Sequence, residues 1–504
     1  MLQGGTHLIK TIVIVGGGTA GWATAHQFIK GTTDIEVIVV SSPDVPIVGV
    51  GESTTGIFNE LINTITDEKE FLRETQSTFK IGIKHSDWDE VGKSFLSPLG
   101  DSYHSDFNYP SEDYDNVRIY HVANGMEYNK SFQSRLMDTD RLHFHNGEGV
   151  YNYDSPDSIP LAYHLDTYLT GEYLKKIANC KYIEGKVDAF AQDNRGFINH
   201  LILDDGRIVK GDLFIDCSGF SRILIDNIEP DNFVSYEDEL LVDSAIVYNR
   251  EYDKDETIKG YTHAHALKYG WKWEIPTQTR MGCGYVYSSK FVDKDKAYEE
   301  IKPVDVLNHI KFNSGRLKKQ WCKNVIATGL ASGFLEPLEA TSIHVTVMQI
   351  AQWLSNYFKP TLDLNVQSIQ DQYNEDMAYM WDNLKDFIVF HYISRRKDTD
   401  FWIQSSSPER WSPRLTRLVD IWKHRMPRTT DFIIGKSNNF HAMGNPLWYH
   451  IAIGMNMLDP DIARQELEGY GIYKQTEDHC NKIYNAVEEI LPNMMKTNDY
   501  YQHI

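Results

Sequence analysis

The sequence predicts an α/β body of Rossmann-like order with mixed sheets, followed by a mainly helical carboxy-terminal region. Three observations predict it. A β-α-β unit occupies residues 10–40, hairpin-like strands follow a helix across residues 160–220, and apolar residues recur at helical spacing beyond about residue 340.

Each element has its own signal. KTIVIV is a short β-branched run of the kind a strand buried on both faces shows, and IEVIVV is a second. Between them GGGTAGW reads as a turn and ATAHQFIK as the helix it opens. TYLTGEYLKKIAN is helical, and INHLILDDGRIVKGDLFIDCSG reads as strands reversed at DDG. Residues 234–290 are strand-rich, with VDSAIVYN and MGCGYVYSS as candidates. HVTVMQIAQWLSNYF, SIQDQYNEDMAYMWDNLKDFIVFHY and DPDIARQELEGYG carry the helical period. The expected division is a nucleotide-binding body over residues 1–355, with strand-rich insertions near 80–160 and 225–300, and a helical substrate region over 356–504.

Composition narrows the function. The 504 residues carry a formal net charge of -21, which repels phosphate and so argues against nucleic acid or an anionic membrane as partner. MLQGGTHLIK lacks the charged start, apolar middle and cleavage site of a signal peptide, and no apolar run is long enough to cross a bilayer. The expectation is a cytoplasmic protein, for which a homo-oligomeric state stays open. Cys180, Cys217, Cys283, Cys322 and Cys480 are odd in number and lack CxxC spacing, so reduced thiols fit better than disulfides or zinc. His26, His85, His344 and His391 read as unclustered, and no metal is expected.

Gly16, Gly18 and Gly21 form G-x-G-x-x-G between the first strand and the helix. The first glycine permits the tight turn, the second admits a pyrophosphate against the backbone, and the third lets helix and strand pack closely. Thr19 and Ala20 belong to the same turn, where a helix's positive end meets phosphate. The acid that normally closes the second strand and holds ribose is absent: the strand ends VVSSPD, with Ser41 in that place and Asp44 beyond it. A neutral serine hydrogen bond is weaker than a carboxylate's, so looser cofactor retention is expected.

Four further segments sharpen the reading: GVGEST (49–54), TFKIGIKHSDW (78–88), WKWEIP (271–276) and NVIATGLASGFLEPLEATSIH (324–344). With the fingerprint, Gly315-Arg316, IDCSGF (215–220) and FHYISRRKDTDFW (390–402), they resemble the flavin-dependent halogenase (tryptophan halogenase-like) family across roughly residues 10–402. The resemblance implies the fold of a GR2-type flavoprotein monooxygenase. It also implies FAD, reduced by a separate flavin reductase that acts by transient contact or by diffusion of the reduced cofactor. Reduced FAD, O2 and halide (chloride, bromide or iodide) then yield hypohalous acid, which passes through a tunnel to an electron-rich aromatic ring. FAD-binding residues implied are Gly16, Gly18, Thr19, Ala20, Gly21, Ser41, Gly49, Gly51, Glu52, Ser53, Gly329 and Leu330.

The resemblance also assigns roles. Lys80, the lysine of TFK, matches the catalytic lysine that polarises hypohalous acid or becomes a haloamine; the sequence leaves both open. Phe79, Ile81 and Ile83 would desolvate it and favour some neutral amine. A lysine snorkelling from a half-buried strand is the bland reading. Glu339 of EPLE matches a glutamate that stabilises the cationic ring and takes its proton, whereas Glu336 reads as structural. Thr341 and Ser342 stand where backbone amides bind halide, in an EATS loop where ESTG is the common form.

Trp271 and Trp273 share a face of their strand, and Ile275 and Pro276 end it. They read either as paired sheet core or, by the resemblance, as a tunnel wall separating organic substrate from flavin. NPLWYHIAIGMNMLDP (445–460) lacks the tyrosine and glutamate cluster of tryptophan-specific members, and resembles members acting on free indoles or phenols. Trp448, Tyr449 and Met455 are candidates for a pocket or for helix core. The alternatives are a flavin-dependent aromatic hydroxylase and a catalytically silent flavin-binding protein.

Overall fold

The computed structural model describes residues 8–43, 51–99, 112–125, 130–145, 148–149, 161–432 and 445–504. The chain divides into two compact units. One comprises Met1–Thr75, Leu165–Tyr236 and Asn313–Asp382; the other Gln76–His164, Glu237–Phe312 and Asn383–Ile504. Expected helices occur at Thr167–Ile177, Thr341–Asn356, Gln367–His391 and Pro460–Gly469. Among the described residues no helix is long and apolar enough to cross a membrane. All five cysteines are free.

The first unit is built on a six-stranded sheet. Its order is Lys181–Glu184, Glu36–Ser41, Thr11–Val15, Leu213–Asp216, Val325–Ala327 and Trp321–Cys322. The first five strands run parallel and the short last one antiparallel. The register places Ile14 between Val39 and Ile215. The β-branched runs fill these central strands because both faces are covered, leaving no place for polar alternation. Helix Thr19–Gly31 packs along helix Thr341–Asn356, where Gln27 Nε2 donates to the Val347 carbonyl at 2.8 Å and Phe28 meets Trp353 edge-on. On the other face, Val13, Ile38, Phe214 and Val325 share a core with Ile198, Leu201 and Leu203 of the three-stranded sheet Val187–Gln192, Ile198–Leu203 and Ile208–Lys210. The DDG turn reverses that sheet's second strand, with Gly206 at φ +83°.

The second unit carries a seven-stranded sheet. Its order is Val306–Lys311, Ser244–Arg250, Met281–Tyr287, Gly270–Pro276, Tyr261–Ala266, Gly82–Ser86 and Ser94–Pro98. Tyr261–Ala266 pairs parallel with Gly82–Ser86; the other pairs are antiparallel. Thr78–Lys80 pairs separately with Ala162–Asp166, placing Lys80 opposite Ala162. The segment YISRRKDTDFW ties down HSDW: Ser394 donates to the Trp88 carbonyl at 2.6 Å and Arg395 Nε to Asp89 at 3.0 Å. Carboxy-terminal helices include Pro413–Trp422, Asn445–Gly454 and Tyr473–Ile490. Trp448 lies among Phe387, Phe390, Trp422 and Phe432, and the Tyr449 hydroxyl donates to the Pro427 carbonyl at 2.7 Å. With Met455 also buried, all three sit in helix core.

Candidate active site

The nucleotide cradle belongs to the first unit. Gly16 has φ +128°, and a Cβ there would stand 2.2 Å from the Cys217 carbonyl oxygen. A Cβ on Gly21 would stand 2.0 Å from the Gly16 carbonyl oxygen. These glycines are demanded by the protein's own packing. Gly18 differs: a Cβ there would meet nothing within 4 Å, and Gly18 caps helix Thr19–Gly31 without any side-chain hydrogen bond. Uncapped first-turn amides facing open space suit a phosphate group, so the residues present fit a dinucleotide.

Neighbouring residues close around this turn. The Thr19 hydroxyl donates to the Thr167 carbonyl at 3.3 Å. Gly329, at φ +63°, would bring a Cβ to 2.9 Å from the Ala20 Cβ, so the second glycine-rich loop abuts the first. Half-buried Leu330 follows in the turn Gly329–Ala331. Buried Asp216 organises the turn after its strand, accepting from the amides of Ser218, Leu224 and Ile225. Ser41 Oγ shares a 3.3 Å hydrogen bond with the Tyr182 hydroxyl, and would lie 2.4 Å from a Cβ on Gly17. Gly51, Glu52 and Ser53 form a short strand; burial raises the Glu52 carboxyl to about 7, although the residue as a whole keeps some exposure. Gly49 and Asp44 lie outside the described residues.

The same unit carries EPLEATS. Glu336 and Glu339 are both buried, the latter ending the turn Pro337–Glu339. Ala340 then adopts φ +56°, ψ 39°, and helix Thr341–Asn356 starts with no side-chain cap. Thr341 is fully buried and Ser342 partly so; the Ser342 carbonyl accepts from the Thr346 hydroxyl at 2.9 Å. In this helix's first turns His344 Nδ1 lies 2.7 Å from the Thr55 hydroxyl, and burial lowers the ring's pKa to about 4. Sequence reading missed this pair because 289 residues separate its members.

The second unit carries Lys80 and WKWEIP. Lys80 is 0% exposed, so the snorkelling reading fails for it. Phe79 packs against His143, Phe144, Tyr163 and Tyr500, and its amide donates to the Tyr501 hydroxyl at 2.7 Å. Ile81 and Ile83 are buried as expected. Thr78 Oγ1 donates to the Pro276 carbonyl at 2.6 Å, tying the lysine's strand to the end of WKWEIP. Because that proton is used, Thr78 accepts from His164 Nδ1–H at 3.1 Å, and His164 Nε2 accepts from the Thr262 hydroxyl at 3.0 Å. Burial keeps His164 neutral, which makes Nε2 the acceptor. Its pKa falls well below the usual value through burial, with the charge of Lys80 adding to the effect.

His85 is lowered well below its usual value by burial first, then by His391, His263 and Lys80. Its ring centroid lies 5.5 Å from that of His391, so these two histidines, expected to be unclustered, are neighbours. The strand Gly82–Ser86 carries His85, and a partner 306 positions away in the chain (391 − 85) gave no local signal for the pairing.

Trp271 and Trp273 are buried on one face of Gly270–Pro276, ring centroids 6.1 Å apart, with half-exposed Lys272 and Glu274 on the other. Ile275 and Pro276 are buried as well. Trp271 also packs against Trp88. Neither indole N–H finds a hydrogen-bond partner among the described residues. Sheet packing alone leaves such donors costly, so the indoles pack as core along their rings while keeping polar edges unspent. The cradle, Glu339, Thr341 and Ser342 thus belong to one unit, and Lys80 with Trp271, Trp273, Ile275 and Pro276 to the other.

Known proteins resemble the chain in sequence and in fold. The tryptophan 7-halogenase RebH of Lentzea aerocolonigenes is 30% identical, covering 97% of both chains. The tryptophan 6-halogenase ThaL of Streptomyces albogriseolus is 31% identical over 78% of each. BrvH, a flavin-dependent halogenase from Brevundimonas sp. BAL3, superposes with a TM-score of 0.83 at 26% identity, covering 99% of this chain and 100% of that one. The tryptophan halogenase model matches residues 11–466. The chain therefore belongs to the tryptophan halogenase family, flavin-dependent halogenases that use reduced FAD with halide and O2.

Proposed function

We propose that the enzyme halogenates an electron-rich aromatic of the indole or phenol type, with Lys80 and Glu339 as its catalytic residues. The observation that carries this reading is the complete burial of Lys80 beside two histidines held neutral. A fully desolvated amine whose charge lowers the pKa of both histidines sits where a hydrogen-bond donor can hold and polarise hypohalous acid.

Bound reduced FAD supplies hypohalous acid from O2 and halide. Gly16, Gly18, Thr19, Ala20 and Gly21 hold its pyrophosphate, and Ser41, Gly51, Glu52, Ser53, Gly329 and Leu330 line the remainder. Thr341 and Ser342 offer first-turn amides to halide. Lys80 orients the oxidant, by hydrogen bonding or as a haloamine, so that halogen meets ring carbon. As the carbon–halogen bond forms, the oxygen–halogen bond breaks, and the hydroxide released takes a proton from the Lys80 ammonium and departs as water. In the haloamine route that water leaves earlier, when the nitrogen–halogen bond forms, and the nitrogen–halogen bond is the one that breaks. Glu339 then accepts the ring proton. Trp271, Trp273, Ile275 and Pro276 wall the passage, keeping organic substrate away from the flavin. The helical region 356–504 supplies substrate contacts, and the absence of an acidic tyrosine-rich cluster from residues 445–460 favours a small neutral aromatic over free tryptophan. Trp448, Tyr449 and Met455 do not serve, being core.

The test supplies FAD, NADH, a flavin reductase and a panel of indoles and phenols, with chloride, bromide and iodide tried separately. Halogen on carbon is expected. Oxygen on carbon identifies a hydroxylase, and no product with any halide identifies a silent flavoprotein.

A further inference from the structure

The anion site at the start of helix Thr341–Asn356 contains more than backbone. Its first turn has no side-chain cap, and a 16-residue helix presents a positive N-terminal end. Two buried side-chain atoms there, Thr341 Oγ1 and His344 Nε2, have no hydrogen-bond partner among the described residues. Thr341 is 0% exposed and His344 9%. Residues three apart share a helix face, and helical side chains lean toward the N-terminus. His344 and Thr341 therefore share one face at the uncapped end of the helix. Two buried orphans converging on one helix end need a ligand, since each otherwise costs about 1–3 kcal/mol.

The hydrogen bond on Nδ1 bears on which nitrogen of His344 carries the proton. The Thr55 hydroxyl has no hydrogen-bond partner among the described residues except His344 Nδ1, at 2.7 Å. A hydroxyl placed there can donate its proton to Nδ1, and that tautomer carries the imidazole proton on Nε2. Burial holds the ring's pKa near 4, so around neutral pH it carries that one proton and no net charge. The result is a fixed, neutral N–H donor beside a hydroxyl donor and a set of amides. No acceptor among the described residues meets His344 Nε2 or the Thr341 hydroxyl, which selects for a small anion arriving from solution.

We propose that His344 donates its Nε2–H to the halide, alongside the Thr341 hydroxyl, and so determines halide affinity and selectivity. This rests on the halogenase reading above and adds a side-chain ligand to a site otherwise described by backbone alone. Thr55 is a positioning residue, fixing the tautomer that makes His344 a donor. Chloride, the most strongly hydrated of the three halides, depends most on replacement donors; bromide and iodide depend on them less.

The experiment has two arms. In crystals of the full chain soaked in bromide, anomalous scattering is expected to place a bromide within hydrogen-bond distance of His344 Nε2, and His344→Phe is expected to remove it. In steady-state assays, His344→Phe raises the halide KM about tenfold, as expected for one hydrogen bond to a charged group. The loss falls on KM rather than kcat, is larger for chloride than for bromide, and is partly rescued by His344→Gln. Thr55→Val raises the halide KM as well, and carries the test if His344→Phe does not fold. A bromide bound away from His344, or halide KM values unchanged in the variants, overturns the inference while halogenation itself stands. Wild-type protein that halogenates nothing but still binds bromide at His344 overturns the halogenase reading and leaves the anion site.

Discussion

Trp273 lies across Gly284 on the neighbouring strand, its six-membered ring so close that a Cβ on Gly284 would stand 2.1 Å from it. The glycine is therefore the floor on which one of the two WKWEIP indoles rests. Gly284→Ala is expected to push the indole off its seat at a cost of about 1–3 kcal/mol, the usual range for overpacking. Thermal melting checks the stability loss. Tryptophan emission checks the displaced ring, and a rise in flavin oxidation without product checks the wall.

The two ends of the fingerprint separate folding from binding. Gly21→Ala places a methyl 2.0 Å from the Gly16 carbonyl oxygen and should lower the melting temperature of the cofactor-free protein. Gly18→Ala meets nothing within 4 Å and should leave that melting temperature unchanged. It should nonetheless weaken FAD binding, because the methyl occupies the space a pyrophosphate needs. Melting curves and FAD titrations of both variants distinguish the two roles.

Acid should destabilise the protein through its buried histidines. His143 is lowered to about 3 and His344 to about 4, both by burial, and His85 and His164 fall well below their usual value. A histidine with a depressed folded pKa binds fewer protons than the unfolded chain between its two pKa values, so stability rises with pH there. The stabilisation is complete above the unfolded value of about 6.5 and is lost as pH falls toward 4. For His344 alone the linkage amounts to about 3 kcal/mol. Glu52, raised to about 7, works in the opposite sense: its contribution is lost as pH rises toward 7. Urea melts between pH 4 and 7 should show stability rising with pH, and less steeply in His164→Gln.

Local chemistry made the first unit legible. The β-branched runs gave the central strands, G-x-G-x-x-G gave the cradle, and DDG gave a hairpin, each within a few residues. The division of the chain was harder to see. Each unit is assembled from three separated stretches, whereas periodicity reports only on neighbours in sequence. The same limit hid His344 from Thr55, His85 from His391, and the Thr78–His164–Thr262 chain behind Lys80. Trp448 and Tyr449 show the converse. An aromatic pair on a helix reads alike as pocket or core, and four further aromatic side chains made it core.

The central claim is that Lys80 carries halogen to carbon and has no part in making the oxidant. Lys80→Met, which keeps the buried volume and removes the amine, tests it most directly by product mass and O2 consumption in one reaction. The account predicts O2 consumed and hypohalous acid released as in the parent enzyme, with carbon–halogen product reduced at least ~100-fold. Halogenated product at the parent rate would contradict it.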